Sequence, residues 1–247
     1  MTITETQACT PPALDLARQS LFLDLDGTLA PIVARPSDVG PDPRRTAILE
    51  ALVRRMDGRV AILSGRTLAE VDHIAGAAVG PVAAVHGLDR RRPDGALDPL
   101  PPHPALPDVL SAFRELAGRD PGLIVEEKGL SAALHYRQAP GEADAVQALA
   151  EDLAQRTGLK LQPGHMVVEL RTPGPDKGDS LRDFMAAAPF AGSTPIFVGD
   201  DLTDEPAFRA ARDCGGFGVL VGPPRNSAAT HRLEDVSAVL DWLESAL

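Results

Sequence analysis

The stretch Leu21-Phe22-Leu23-Asp24-Leu25-Asp26-Gly27-Thr28 decides the reading of this chain. Leu21 to Leu25 is an apolar run broken only by Asp24 and closed by Gly27. That is the pattern of a parallel strand buried on both faces and ending in a turn. A Pro-rich stretch follows, and then Ile48, Leu49, Leu52, Val53 and Met56 recur at helical spacing before a second apolar run, Val60 to Leu63. Leu68, Val71, Ile74 and Ala75 mark another helix, and Val82 to Val85 a third strand. Strand alternating with helix predicts a parallel sheet with right-handed crossovers. The same grammar returns late in the chain, with a helix carrying Leu181, Phe184 and Met185, a strand Ile196 to Val198, and a closing helix bearing Val236, Val239, Leu240 and Leu243.

Between about Asp98 and Leu170 the grammar changes. A helix (Leu106, Val109, Leu110, Phe113) is followed by the extended runs Leu123 to Glu126 and Leu130 to Arg137. A second helix (Val146, Leu149, Leu153) is followed by Leu159 to Gln162 and Met166 to Arg171. Helix with two strands, repeated once, predicts an antiparallel sheet carrying helices on one face. The expected architecture is therefore an α/β, Rossmann-like core formed by residues 1–97 and 172–247, with an inserted α/β domain at 98–171. The Pro-rich segments Pro99 to Pro104 and Thr172 to Pro175 would serve as its hinges.

Bulk properties narrow the function. The chain has 247 residues, enough for one large domain or two modest ones, and its formal net charge is -11. A chain of that sign repels nucleic acid and anionic membranes at long range. Cys9 and Cys214 lie in unrelated contexts and form no paired motif, so neither a disulfide framework nor a zinc site is indicated. The first twenty residues lack the basic and apolar regions of an export signal, and no run approaches the ~20 apolar residues of a membrane span. A cytoplasmic protein acting on a small molecule is the expectation.

Three polar segments fall where strands should end: Asp24 to Thr28, Ser64-Gly65-Arg66, and Gly199-Asp200-Asp201-Leu202-Thr203-Asp204-Glu205. Open parallel sheets bind ligands beyond the carboxyl ends of their strands, so these segments would converge on one crevice. Asp24 and Asp26 would point the same way if strand geometry persists. Their mutual repulsion calls for a hard cation such as Mg2+, with Asp200, Asp201 and Asp204 offering further oxygen ligands. A carboxylate can attack phosphorus to give an acyl phosphate, which makes Asp24 the candidate nucleophile. Asp26 is placed to protonate the leaving alcohol and to activate water. Ser64 and Lys177 supply a donor and a positive charge for the non-bridging oxygens. Thr28, Gly65, Arg66 and His86 complete the candidate substrate contacts. Arg66 could equally cap a helix or form a salt bridge, and His86 could hydrogen-bond its own turn. Arg90 to Arg92 reads as a solvated loop, and His135 and Tyr136 as packing within the insert.

The ordered set of DLDGT, the Ser after the second strand, a Lys before a helix and GDD…D resembles the haloacid-dehalogenase-like (HAD) superfamily. In that pattern the metal is Mg2+, held by the positions that match Asp24, the Asp26 backbone carbonyl and Asp200. An Asp at position 26 favours the phosphatase branch. The longer stretches DLDGTLAPIVARPSDV, LSGRTLAEVD, VHGLDRR, EEKGLSAALHYRQAP, VVELR and VGDDLTDEPAF resemble the trehalose-6-phosphate phosphatase family, from about Leu21 to the C-terminus. The resemblance implies a C2-type cap, trehalose 6-phosphate as substrate and a pathway link to a trehalose-6-phosphate synthase. It also implies that Glu126, Lys128 and Glu169 bind sugar hydroxyls, which carboxylates accept well. Strand alternation would put Glu126 and Lys128 on one side and Glu127 on the other. Another sugar phosphate, of the sucrose 6-phosphate or glycosyl-phosphoglycerate type, is the alternative substrate. A non-catalytic sugar-phosphate sensor is the third reading.

Overall fold

The computed structural model of the chain describes residues 9–33, 35–98, 100–164 and 166–247, so Pro99 of the first hinge lies outside the described residues. The chain separates into two compact units, residues 1–98 with 175–247 and residues 99–174.

The first unit opens with β1 (Gln19–Leu23), whose last four residues are buried. Asp42 caps α1 (Pro43–Arg55) by accepting from Arg45 N–H at 2.8 Å, and Pro43 takes the first helical position, where no N–H is needed. The wholly buried β2 (Val60–Leu63) leads to α2 (Leu68–Ala75). That helix starts at a Thr67/Glu70 capping box and stops at Gly76 in the left-handed region. β3 (Val82–Ala84) is followed by two short strands, β4 (Asp89–Arg91) and β5 (Leu97–Asp98).

The second unit consists of α3 (Leu106–Ala117), β6 (Ile124–Glu127), β7 (Ser131–His135), α4 (Ala143–Thr157), β8 (Lys160–Gly164) and β9 (Val167–Arg171). Its sheet runs β6-β7-β9-β8 and is antiparallel throughout. Val125, Ala132, Leu134, Leu161, Val168 and Leu170 share one face and pack with Val109, Phe113, Val146 and Leu153 of the two helices. The alternate residues, Glu126, Ala133, His135 and Glu169, take the other face.

The chain returns to the first unit with α5 (Lys177–Met185), β10 (Thr194–Gly199), α6 (Glu205–Asp213), β11 (Phe217–Val221), β12 (His231–Leu233) and α7 (Val236–Glu244). The sheet order is β12-β11-β10-β1-β2-β3-β4-β5, parallel from β12 to β3 and antiparallel over β4 and β5. β1 lies at the centre, with Leu23 opposite Val198 on one side and Ile62 on the other. Phe22, Phe184 and Phe190 pack beneath it, and the Phe22 and Phe190 rings stack at 5.1 Å. The strand order reverses direction around β1, which is where open α/β sheets bind ligands.

The arginine run is not a solvated loop. Arg90 and Arg91 lie in β4; Arg90 pairs with Asp98 and Asp183, Arg91 with Asp72, and Arg92 with Asp98. Among the described residues, no helix is long and apolar enough to cross a membrane.

Candidate active site

Asp24 is the first residue beyond β1, and its N–H still donates to Val198 O at 2.9 Å, so the ladder with β10 fixes its backbone. Its carboxylate is buried, and Lys177 Nζ lies 2.9 Å from Oδ1. The same ammonium lies 2.6 Å from Asp204 Oδ1. Asp176 and Asp179 form the capping box that starts α5, which presents Lys177 as its first residue. Oxygens of Asp24, Asp200 and Asp204 all lie within 4.8 Å of one another.

One ammonium among three such carboxylates leaves uncompensated negative charge. Burial, then the charges of Asp204 and Asp200, hold the Asp24 carboxyl well above the usual carboxylate range despite Lys177. Burial and then Asp204 push Asp200 up to about 7. Burial alone would lower Lys177, but Asp204 and Asp24 outweigh it and raise its pKa. Asp200 Oδ1 is buried and has no hydrogen-bond partner among the described residues. A hard divalent cation fits this donor set: it would occupy that orphaned oxygen and offset the repulsion.

Two glycines give this cluster its room. A Cβ on Gly27, which sits at φ +78°, would lie 2.1 Å from Asp200 Oδ2, and one on Gly199 would lie 2.4 Å from Asp204 Oδ2. Both carboxylates therefore rest directly against glycine backbone.

The strand does not persist to Asp26. Leu29 and Ala30 both donate to Leu25 O, at 2.9 and 2.8 Å, so the chain turns after Asp24 and the alternation argument no longer applies. Instead Asp26 is gripped by Arg66, with Nε to Oδ2 and Nη2 to Oδ1 both at 2.7 Å, in the strong two-pronged geometry of an arginine–carboxylate pair. Arg66 also donates to Pro36 O at 2.7 Å and to Glu70 at 3.2 Å. Ser64 is fully buried, and its Oγ accepts from Arg66 N–H. Thr28 is fully buried too, and its Oγ1 has no partner among the described residues.

The turn after β3 is stitched to the same segment: His86 N–H donates to Ser64 O at 2.8 Å and Val85 N–H to Arg66 O at 2.9 Å. His86 lies so close over Gly65 that a Cβ there would be 2.6 Å from its ring. Val85 and His86 both hold positive φ, at 46° and 59°. For a β-branched valine this costs roughly 1–3 kcal/mol, a strain that such turns retain next to functional groups.

Asp204 is fully buried and organises the loop rather than standing open: beside its contact with Lys177, its Oδ2 accepts from Asp201 N–H at 3.0 Å. Asp201 accepts from Leu202 N–H and caps the following turn, and it is not part of the close carboxylate group. Two residues of this region were not legible as site residues. Arg225 donates to the backbone carbonyls of Asp201 (2.8 Å) and Asp200 (3.4 Å), and also to Glu205. Glu205 accepts in turn from Ser227 Oγ and Ala228 N–H. Only its place directly after GDDLTD hinted at Glu205, and nothing in the spacing pointed to Arg225.

In the second unit, Glu126 and Glu169 both flank Ala133 in the ladder and therefore share a row. Lys128 Nζ lies 3.0 Å from Glu169 Oε2 and 3.7 Å from Glu126 Oε2. Glu127 points the other way and pairs with Arg114 of α3 at 3.0 Å. His135 does not merely pack: its Nε2 lies 2.7 Å from Glu126 Oε2.

The fold resembles that of a HAD-superfamily phosphatase from Bacteroides thetaiotaomicron, at TM-score 0.60 and 17% identity, covering 98% of this chain and 99% of that one. It also resembles a solved trehalose-6-phosphate phosphatase related protein, at TM-score 0.77 and 26% identity, covering 91% and 95%. The fold class is thus a parallel-sheet α/β core of the HAD type. The trehalose-phosphatase family model matches residues 22–237. The trehalose-6-phosphate phosphatase of Escherichia coli (strain K12) is 39% identical over 230 residues, covering 92% of this chain and 86% of that protein. The chain belongs to the trehalose-phosphatase family and is a phosphatase.

Proposed function

We propose that this chain hydrolyses trehalose 6-phosphate to trehalose and phosphate in the cytoplasm, through a covalent aspartyl phosphate on Asp24. The observation that carries the reading is a buried Asp24 carboxylate at the end of the central strand, paired with Lys177 and grouped with Asp200. Asp24 attacks phosphorus while the bond to the sugar oxygen breaks, and Asp26 gives that oxygen a proton. Asp26 then takes a proton from water, which attacks the same phosphorus and frees Asp24. Lys177 and Ser64 stabilise the charge on the non-bridging oxygens. Arg66 holds both oxygens of the Asp26 carboxylate, so Asp26 must leave that guanidinium and take up a proton from solvent before it acts as the acid.

Asp24 and Asp200, with the Asp26 backbone carbonyl that the family pattern adds, would hold Mg2+. When bound, the ion neutralises phosphoryl oxygens. Asp204 keeps Lys177 in place, and Asp201 shapes the loop. Glu126, Lys128 and Glu169, on the helix-free face of the 99–174 unit, receive the sugar hydroxyls. That division, a catalytic core and an inserted specificity domain, is part of the same proposal.

The test is phosphate release with Mg2+ from trehalose 6-phosphate, glucose 6-phosphate, sucrose 6-phosphate and p-nitrophenyl phosphate, with EDTA controls and Asp24→Asn. The reading expects a strong preference for trehalose 6-phosphate and no turnover by the Asn variant. A preference for another sugar phosphate would reassign the substrate. Metal-independent release, or an active Asn variant, would discard the mechanism, and tight binding without turnover would favour a sensor.

A further inference from the structure

In the helix-free face of the 99–174 unit, Glu126 and Glu169 flank a single ammonium, that of Lys128. Lys128 sits closer to Glu169, at 3.0 Å, and stays 3.7 Å from Glu126. The same Oε2 of Glu126 is met from the neighbouring strand by His135. In the antiparallel ladder Glu126 lies opposite Ala133, so His135, two residues further along β7, is its diagonal neighbour on the same face. Its Nε2 meets Glu126 Oε2 at 2.7 Å, and the ring is nearly buried, with 13% of the side chain exposed. Beside an acceptor-only carboxylate, Nε2 is the protonated nitrogen and donates.

We propose that His135 is a positioning residue for sugar recognition: it pins Glu126 by Oε2 and leaves Oε1 to serve as the hydroxyl acceptor. This rests on the reading that Glu126 receives substrate hydroxyls. Without His135, Glu126 loses its short hydrogen bond and its side chain is free to change rotamer, so the acceptor is no longer aimed before substrate arrives. A site organised for hydroxyls discriminates through groups that are already aimed, so the loss falls on the sugar phosphate and not on a substrate without hydroxyls.

The experiment compares kcat/KM for trehalose 6-phosphate and p-nitrophenyl phosphate in wild type, His135→Ala, His135→Gln, His135→Asn, Glu126→Ala and the His135→Ala/Glu126→Ala double variant. Circular dichroism melts accompany each. His135→Ala should lower the ratio of the two kcat/KM values about tenfold, the scale of one hydrogen bond to a charged group, with the change in KM. Gln places an amide nitrogen about where Nε2 stood and should restore most of the ratio; Asn, which mimics Nδ1, should not. The double variant should be no worse than Glu126→Ala alone, because the two act as a unit. A ratio within about twofold of wild type in both His135→Ala and His135→Asn, while Glu126→Ala lowers it, would overturn the role of His135 and leave the substrate reading standing. If Glu126→Ala leaves the ratio unmoved as well, the reading of Glu126 falls, and the role of His135 with it. Should His135→Ala fold poorly, the contrast between Gln and Asn decides alone.

Discussion

Lys177→Met is the perturbation whose size follows most directly from the geometry. The Lys177 ammonium is buried and lies within 3.0 Å of both Asp24 and Asp204. Met keeps the length of the side chain and removes the charge, leaving Asp24, Asp200 and Asp204 together without a counter-ion. Removing one partner of a buried ion pair costs about 3–5 kcal/mol. The first unit has about 170 residues. At about 2.1 cal/mol/K of unfolding entropy per residue, that cost lowers its melting temperature by roughly 8–14 °C. The measurement is thermal unfolding by circular dichroism in EDTA, repeated with saturating Mg2+. The deficit should shrink with Mg2+, because a divalent cation replaces part of the lost charge. Adding Asp204→Asn should also recover several degrees, since it removes one of the stranded carboxylates. A Lys177→Met protein melting within about 2 °C of wild type in EDTA would refute the reasoning that Lys177 neutralises a charged cluster.

Three further outcomes are expected. Gly27→Ala puts a methyl 2.1 Å from Asp200 Oδ2 at a positive φ, so phosphate release should fall at least about a hundredfold, and Mg2+ should no longer raise the melting temperature. The second concerns pH. A carboxyl that binds its proton more tightly folded than unfolded adds stability below its unfolded pKa of 3.8, and that stability is lost as pH rises through the folded value of about 7. The EDTA-treated protein should therefore melt lower at about pH 8 than at about pH 5 on this account, and Asp200→Asn should flatten the slope. Arg225→Ala frees the carbonyls of Asp200 and Asp201 and should weaken Mn2+ binding, read by electron paramagnetic resonance, about tenfold; unchanged affinity would make Arg225 irrelevant to the acidic loop.

The residues at the ends of the buried parallel strands were readable because apolar runs such as Leu21–Leu23 and Val60–Leu63 stop abruptly at a polar group. Periodicity reports such stops well. It does not report where pairing ends within a polar segment, which is why Asp26, placed beside Asp24 by alternation, turns to Arg66 instead. β4 and β5 were invisible for a related reason. Asp89 to Arg91 carries no apolar signal, and it is held by its ladder to β3 and by ion pairs to Asp72, Asp98 and Asp183 that no local pattern encodes. Glu126 and Glu127 were separable by parity alone, whereas the partner of Glu126 was not. His135 becomes its neighbour only once β6 and β7 are in register. Arg225 reaches Asp200 across 25 positions of chain, and only the folded loop brings them together.

The pairing of β1 with β10 sets a timetable for synthesis. Leu23 waits for Val198, about 175 residues later, and at roughly 5–20 residues per second the ribosome needs about 10–35 s to deliver it. β2 arrives early and covers one edge of β1, but the other edge, with Phe22 behind it, stays open through the whole manufacture of the 99–174 unit. An uncovered, apolar, parallel edge is a template for a neighbouring nascent chain. Chaperone capture or aggregation on polysomes should therefore be concentrated in that interval and end abruptly when β10 emerges.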